Sequence, residues 1–141
     1  MFLLGVPLLI IPFAIYNIVA FSKSDFSWVE PLAPVSMISG GKWEMSWGEI
    51  LIVFSILILF VELVKSTRIG LRTIINHMLS AVLFAALLIE FLLVKEAATS
   101  TFFILLVISF VDVLAGFTIT IRTAQRDVTF ETQEPRIAGS A

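Results

Sequence analysis

The chain has 141 residues, of which 59% are hydrophobic and only 14% are charged. An average soluble domain is roughly 45–50% apolar and about 25% charged, so this composition excludes an ordinary water-soluble enzyme. It also excludes intrinsic disorder, which requires low hydrophobicity. The net charge of -2 provides no basic field that would attract nucleic acid. The absence of cysteine excludes disulfides, thiolate catalysis and cysteine-ligated metals.

Four apolar runs predict four transmembrane helices, at residues 2–21, 47–64, 74–94 and 102–121. Each run has about the 20 residues that a helix needs to cross the hydrocarbon of a bilayer. The first run lacks a positive amino-terminal region and a small-residue cleavage site, so we interpret it as a retained helix. Short connections predict that the second, third and fourth helices are antiparallel neighbours. The predicted fold is all-α, an antiparallel four-helix transmembrane bundle over residues 1–126.

Two of the predicted helices begin at recognisable caps. Ser46 followed by Glu49 is a capping box, in which each residue satisfies a free backbone donor of the other. Thr99, Ser100 and Thr101 offer N-caps for the fourth helix. These signals place the helix starts within a residue or two.

The residues at 127–141 form a polar carboxyl-terminal tail. Within it, Val128, Phe130 and Thr132 alternate with polar residues, a pattern typical of a short strand. A flexible terminus is the commoner outcome for such a tail. We therefore expect either a short extended segment or no regular structure there.

Lysine and arginine are distributed unevenly between the two ends of the predicted helices. Loop 65–73 and the tail after residue 121 hold six of the nine basic residues. The remaining three are Lys23, Lys42 and Lys95, at the other end. Because basic residues concentrate on the cytoplasmic side, both termini are predicted to be cytoplasmic. The loop at 22–46 is then external.

This external loop at 22–46 is rich in apolar and aromatic residues. Trp28, Trp43 and Trp47 are the predicted interface anchors, since tryptophan is enriched at membrane surfaces. The alternative interpretation is a lid or a docking surface for a partner protein. The apolar content of the loop is compatible with both interpretations.

The four predicted spans contain no basic residue but four acids, and acids within a membrane are costly and often functional. The capping box accounts for Glu49. Glu62 lies near a helix end, where an ion pair with Lys65 or Arg68 is the simpler interpretation. The fourth acid in chain order, Asp112, lies near the middle of its span.

Asp112 is the strongest functional candidate in the sequence. It shares one helix face with Ser109, Gly116 and Thr120, which points it into the bundle or at another chain. With no basic residue in the spans, it is expected to be protonated, to bind a cation or to meet a base of another protein. The alternative is a neutral carboxyl group that forms hydrogen bonds between helices.

Polar residues of the third helix supply further candidates. Asn76, Ser80 and Glu90 lie on one stripe that is typical of a helix–helix contact. For Glu90 a hydrogen bond to a neighbouring helix, an ion pair with Lys95 and a functional role all remain open. The single histidine, His77, cannot form a histidine-rich metal or haem site, and a polar contact near the membrane surface is its simpler interpretation.

The polar side chains of the predicted spans recur about every 5 Å through the membrane, if each helical residue rises 1.5 Å. In order of depth from the cytoplasmic side they are Glu62, His77, Ser80, Asp112, Ser109 and Glu90. Converging faces would give a path for protons or a small cation. Tyr16 and Asn17 of the first helix are predicted to form hydrogen bonds between helices.

No pattern of residues predicts an enzyme, a cofactor or a metal site. Two functions remain. The first is a non-enzymatic accessory, scaffold or assembly subunit of a larger membrane complex. The alternative is a homo-oligomeric channel or a proton-coupled transporter of small solutes that uses the intramembrane acids. The expected partners are the lipid bilayer and either other membrane subunits or further copies of this chain. The expected location is a bacterial cytoplasmic membrane.

Overall fold

The computed structural model describes residues 5–67 and 70–132, and most of these residues are helical. The elements are α1 (Ile10–Ser22), β1 (Val35–Ser36), β2 (Lys42–Trp43), α2 (Trp47–Ser66), α3 (Leu71–Leu93), a 3₁₀ helix (Lys95–Ala97) and α4 (Ser100–Thr132). Within the described residues, three helices are long and apolar enough to cross a membrane, namely α2, α3 and the part of α4 that ends at Arg126. The predicted all-helical class is confirmed, with a short hairpin added.

The first helix is shorter than predicted. α1 has 13 residues and begins at Ile10, so it is only about 20 Å long. The preceding chain forms a turn in which the Ile10 amide donates to the carbonyl of Pro7 at 3.2 Å. The Leu8 amide is directed away from α1, to the carboxylate of Glu62 at 3.1 Å. The prediction of a helix from residue 2 is therefore wrong over the described part of that stretch.

Local capping determines where α2 and α4 begin. The Ser46 amide donates to Glu49 Oε2 at 2.7 Å, and the Glu49 amide donates to Ser46 Oγ at 3.3 Å. The predicted capping box is therefore confirmed. At the start of α4, the Phe102 amide donates to Thr99 Oγ1 at 3.1 Å, so Thr99 is the N-cap among the three candidates.

The last helix continues well past the predicted span. α4 has 33 residues and ends at Thr132, where the alternating pattern had predicted a strand or an irregular tail. The sequence has no glycine or proline between Gly116 and Pro135, so no strong helix-breaking residue interrupts it. The strand-like interpretation of residues 128–132 is wrong. The rest of the predicted tail, 133–141, lies outside the described residues.

The loop at 22–46 contains a small hairpin that was not predicted. Val35 is paired with Trp43 across two antiparallel strands, and Gly40 adopts a φ of 82° in the turn between them. Only glycine adopts such a φ readily, which fixes the turn at this position. The loop is also joined to α2, because the Gly48 amide donates to the carbonyl of Trp28 at 2.8 Å.

The fourth helix occupies the centre of the structure. α4 packs against both α2 and α3, whereas α2 and α3, predicted to be neighbours, have few contacts with each other. Next to the hairpin the core is aromatic, with Tyr16 stacked on Trp28 at 4.5 Å and in edge contact with Phe102 at 5.0 Å. The opposite half of the interior is polar, and it contains the candidate site.

Candidate functional site

Six of the seven predicted intramembrane residues meet in one buried group, which we call the interior polar cluster. Each is at most 6% exposed, although all are polar. The members are Glu62 of α2, Asn76, His77 and Ser80 of α3, and Ser109 and Asp112 of α4. The three longest helices thus each contribute polar side chains to one volume inside the protein.

Glu62 holds the edge of this cluster together. Its Oε2 accepts hydrogen bonds from the Leu8 amide at 3.1 Å and from Lys65 Nζ at 3.3 Å. Asn76 Nδ2 donates to the other carboxylate oxygen. The predicted ion pair with Lys65 is confirmed, and Arg68 lies outside the described residues. Because three chain segments supply these donors, Glu62 is a structural crosslink as well as a charged group.

Asp112 lies deeper and has no such partners. It is 1% exposed, and within the described residues neither carboxylate oxygen accepts a hydrogen bond. Ser80, Glu62, His77 and Lys65 are close enough to act on its charge, but the Ser80 hydroxyl does not reach hydrogen-bond geometry. A buried ionised carboxylate without partners is very costly. Within the described residues, the surroundings of Asp112 are therefore unfavourable to a bare carboxylate.

His77 packs against α4 at Gly116. Neither of its ring nitrogens has a hydrogen-bond partner among the described residues. The ring fits because residue 116 is glycine: a Cβ built there would lie 2.7 Å from His77 Cγ. On the predicted face of α4, Ser109, Asp112 and Gly116 are all buried and Thr120 is half-buried. Of the two orientations that the sequence left open for this face, the structure contains the one that points into the bundle.

Further unpaired polar atoms surround these two ionisable groups. Ser80 Oγ and Asn76 Oδ1 are buried and lack hydrogen-bond partners within the described part of the chain. By contrast, the nearby hydroxyl groups of Ser55 and Ser66 donate to carbonyls of their own helix, at 2.7 and 2.9 Å. The cluster therefore contains polar atoms, including the Ser80 hydroxyl group, that form no hydrogen bond with the part of the chain that the structure describes.

Glu90 lies outside the cluster. Asn17 Nδ2 donates to Glu90 Oε2 at 3.3 Å, which joins α1 to α3. Nearby, the Tyr16 hydroxyl donates to the carbonyl of Glu96 at 2.8 Å and lies 2.6 Å from Thr99 Oγ1. The predicted hydrogen bonds of Tyr16 and Asn17 to other helices or loops are confirmed. Of the alternatives for Glu90, the structure contains the hydrogen bond to a neighbouring helix.

The three predicted interface anchors differ in their surroundings. Trp28 is 9% exposed and stacks on Tyr16, whereas Trp43 and Trp47 are about half exposed.

Among the described residues, no group of three or more histidine, cysteine or acidic side chains could hold a metal ion. The sequence did not indicate the Leu8 amide as a partner of Glu62, because a backbone donor has no residue-type signal.

The outward faces of the three long helices are apolar and exposed. Examples are Phe60 of α2, Val82 of α3 and Phe117 of α4, each more than half exposed. Such surfaces suit contact with lipid rather than water. Together with the helix lengths, they indicate an α-helical integral membrane protein. Comparisons of the chain with protein-family models, with curated proteins and with solved structures found no match.

Proposed function

We propose that this protein transfers protons through the membrane, alone or together with a small solute, by way of Asp112. The observation that carries the proposal is the burial of Asp112 inside its own bundle without a hydrogen-bond partner among the described residues. An acid at this depth is stable when it holds a proton or meets a cation. His77 lies beside it, and neither of its ring nitrogens has a hydrogen-bond partner among the described residues.

The environment of Asp112 favours this function over the accessory subunit. The accessory role was favoured by a deep acid whose charge a basic residue of a partner protein could neutralise. Such an acid would have to face outwards. Asp112 faces inwards, with Ser80 and His77 of α3 beside it. The half-buried Glu90, near the opposite end of α3, would be a second proton-binding residue on the path through the membrane.

One observation favours the accessory subunit as a second candidate. The loop at 22–46 exposes apolar side chains, with Ile38 and Val29 at 109% and 77% exposure and Trp43 at 52%. An exposed apolar patch of this kind is typical of a docking surface. Purification in mild detergent separates the candidates: stable co-elution with other polypeptides supports the accessory subunit, and elution as a single chain or a homo-oligomer supports the transfer of protons.

The proposal includes a four-helix transmembrane bundle whose second, third and fourth helices are antiparallel. α1 is too short to cross alone, but the segment before it extends the crossing. Lys65 Nζ donates to the carbonyl of Val6 at 3.4 Å, and the Phe26 ring lies 6.5 Å from that of Trp47. Lys65 and Trp47 stand at opposite ends of α2, so residues 6–26 cover its whole length.

The orientation and the membrane are proposed on the distribution of basic residues. With both termini cytoplasmic, Lys65 and Arg72 lie on the side where lysine and arginine are enriched. The hairpin then lies outside the cell. A bacterial cytoplasmic membrane suits this architecture, since helical spans rather than barrels are typical of it.

The decisive experiment is infrared spectroscopy of the reconstituted protein. A protonated carboxylic acid has a C=O stretching band that is distinct from the bands of a carboxylate. We expect such a band in the wild type to change with pH, and to disappear in Asp112→Asn. Glu44→Gln, which alters an exposed carboxylate of the external loop, is the matched control and should leave the band unchanged.

Proton flux into liposomes that contain a pH-sensitive dye tests conduction itself. We expect wild-type liposomes to take up protons faster than empty ones, and Asp112→Asn liposomes to match the empty ones. Circular dichroism and elution volume check that the variant is folded. A folded Asp112→Asn protein with wild-type flux and an unchanged infrared band would contradict the proposal.

A further inference from the structure

A narrow apolar groove runs between the second half of α1 and the first half of α2, under the start of the external loop. Its volume is about 490 Å³, within the range of roughly 300–1,000 Å³ that is typical of ligand pockets. The side chains that matter for its shape are Ile15 and Val19 of α1, Phe26 and Trp28 of the loop, and Ile50 and Phe54 of α2. It lies in the aromatic half of the protein, apart from the interior polar cluster.

The groove has a closed floor and an open side. Trp28 and Leu51, which line it, are buried, whereas Ile15, Ile50 and Phe54 are between 37% and 39% exposed. Its open side therefore lies on the apolar outer surface of the helices. In a bilayer this surface faces lipid chains rather than water.

One end of the groove carries a positive charge. Lys23 follows the last residue of α1 and lines the groove together with Val19 and Ile15, which precede it at intervals of four residues. From Ile15 to Lys23 the helix rises about 12 Å. The Lys23 ammonium group lies 5.9 Å from the centre of the Phe26 ring. No acidic residue is among the described residues that line the groove.

The charged end of the groove carries residue types that are typical of the membrane surface. Trp47, which begins α2, also lines this end of the groove and is 46% exposed. Tryptophan and lysine are the residues that position a helix end among lipid headgroups. The apolar part of the groove thus extends from headgroup depth into the hydrocarbon.

We propose that the groove binds one phospholipid with an anionic headgroup. An acyl chain lies between α1 and α2 against Val19 and Leu51, and the phosphate group pairs with Lys23. Charge complementarity selects the headgroup, because Lys23 is the one charged side chain among the described residues that line the groove. This site does not depend on proton transfer at Asp112.

Tryptophan fluorescence provides the test. The chain has three tryptophans, and Trp28 and Trp47 line the groove while Trp43 lies on the hairpin. In Trp43→Phe protein, reconstituted in lipid nanodiscs, we compare quenching by phosphatidylglycerol and by phosphatidylcholine with the same brominated chains. We expect phosphatidylglycerol to reach half-maximal quenching at about fivefold lower mole fraction, the factor for one lysine near an anionic surface.

Substitutions at the headgroup end make the test specific. Lys23→Gln should abolish the fivefold difference, and Lys23→Arg should retain it. Lys42→Gln, which removes a lysine of β2 outside the groove, is the matched control and should also retain it. Added salt should reduce the difference, since it screens exposed charges.

Three results would overturn the proposal. Equal quenching by the two lipids in the parent protein would show that the headgroup is not selected. A preference that persists in Lys23→Gln would place the phosphate elsewhere. Loss of the preference in folded Lys23→Arg protein would show that the positive charge is not what binds the lipid.

Discussion

The contact between Gly116 and His77 makes a quantitative prediction about packing at the interior polar cluster. In Gly116→Ala, the new Cβ would lie 2.7 Å from His77 Cγ, whereas ordinary contacts are at 3.4–4 Å. The imidazole ring or the helix axis must therefore move by at least about 0.7 Å, because the ring's Nδ1 would lie even closer to the new Cβ than Cγ does. Overpacking of a well-packed interior costs about 1–3 kcal/mol, and alanine recovers up to about 1 kcal/mol of helix propensity. With the full recovery, we expect a net loss of up to about 2 kcal/mol in the free energy of unfolding.

The double-mutant cycle with His77→Ala isolates this contact. In the His77→Ala background the obstructing ring is absent, so Gly116→Ala should be neutral or stabilise by up to about 1 kcal/mol. The coupling energy between the two substitutions should then exceed about 1 kcal/mol, above the roughly 0.3–0.5 kcal/mol scatter of independent sites. Unfolding in detergent mixtures of increasing SDS fraction, followed by circular dichroism, measures all four proteins. Additive effects would refute the proposed contact.

Two further predictions concern the opposite half of the protein and the orientation of the chain. Tyr16→Phe removes the hydroxyl group that joins α1 to Glu96 and Thr99. This substitution should lower the free energy of unfolding by about 1–2 kcal/mol in the same assay. A loss below the scatter between replicates would mean that these hydrogen bonds contribute little. Because the chain has no cysteine, single cysteines at the exposed positions Ser39 and Thr67 can report the topology. In intact cells a membrane-impermeant maleimide should label Ser39→Cys and not Thr67→Cys, and the reverse pattern would invert the proposed orientation.

Much of the helical architecture was predictable from the sequence because its signals are local. Apolar runs of membrane-spanning length identified α2, α3 and α4, and the Ser46–Glu49 capping box placed the start of α2 correctly. The buried face around Asp112 followed from the helical repeat alone. In each case the residues that produce the signal are within a few turns of one another.

Most of the features that the sequence did not predict depend on residues that are distant in the chain. α1 begins late because Pro7 starts a turn and the Leu8 amide binds Glu62, which is 54 residues away in the chain. The meeting of Glu62 with Asn76 depends on the rotation of two helices about their own axes, which an apolar pattern does not specify. The alternation at 128–132 resembled a strand, but continuation of an existing helix costs less than starting new structure.

The length of α4 has a mechanical consequence. Its 33 residues form a helix about 50 Å long, and about 30 Å separates Asp112 from Thr132. A helix without an internal break behaves as a lever: a tilt of ten degrees about Asp112 would displace its far end by roughly 5 Å. A small rearrangement at the buried acid would thus be magnified beyond Arg126, where the part of α4 that can span a membrane ends. A spin label or fluorophore at Val128 would detect such a movement without entering the bundle.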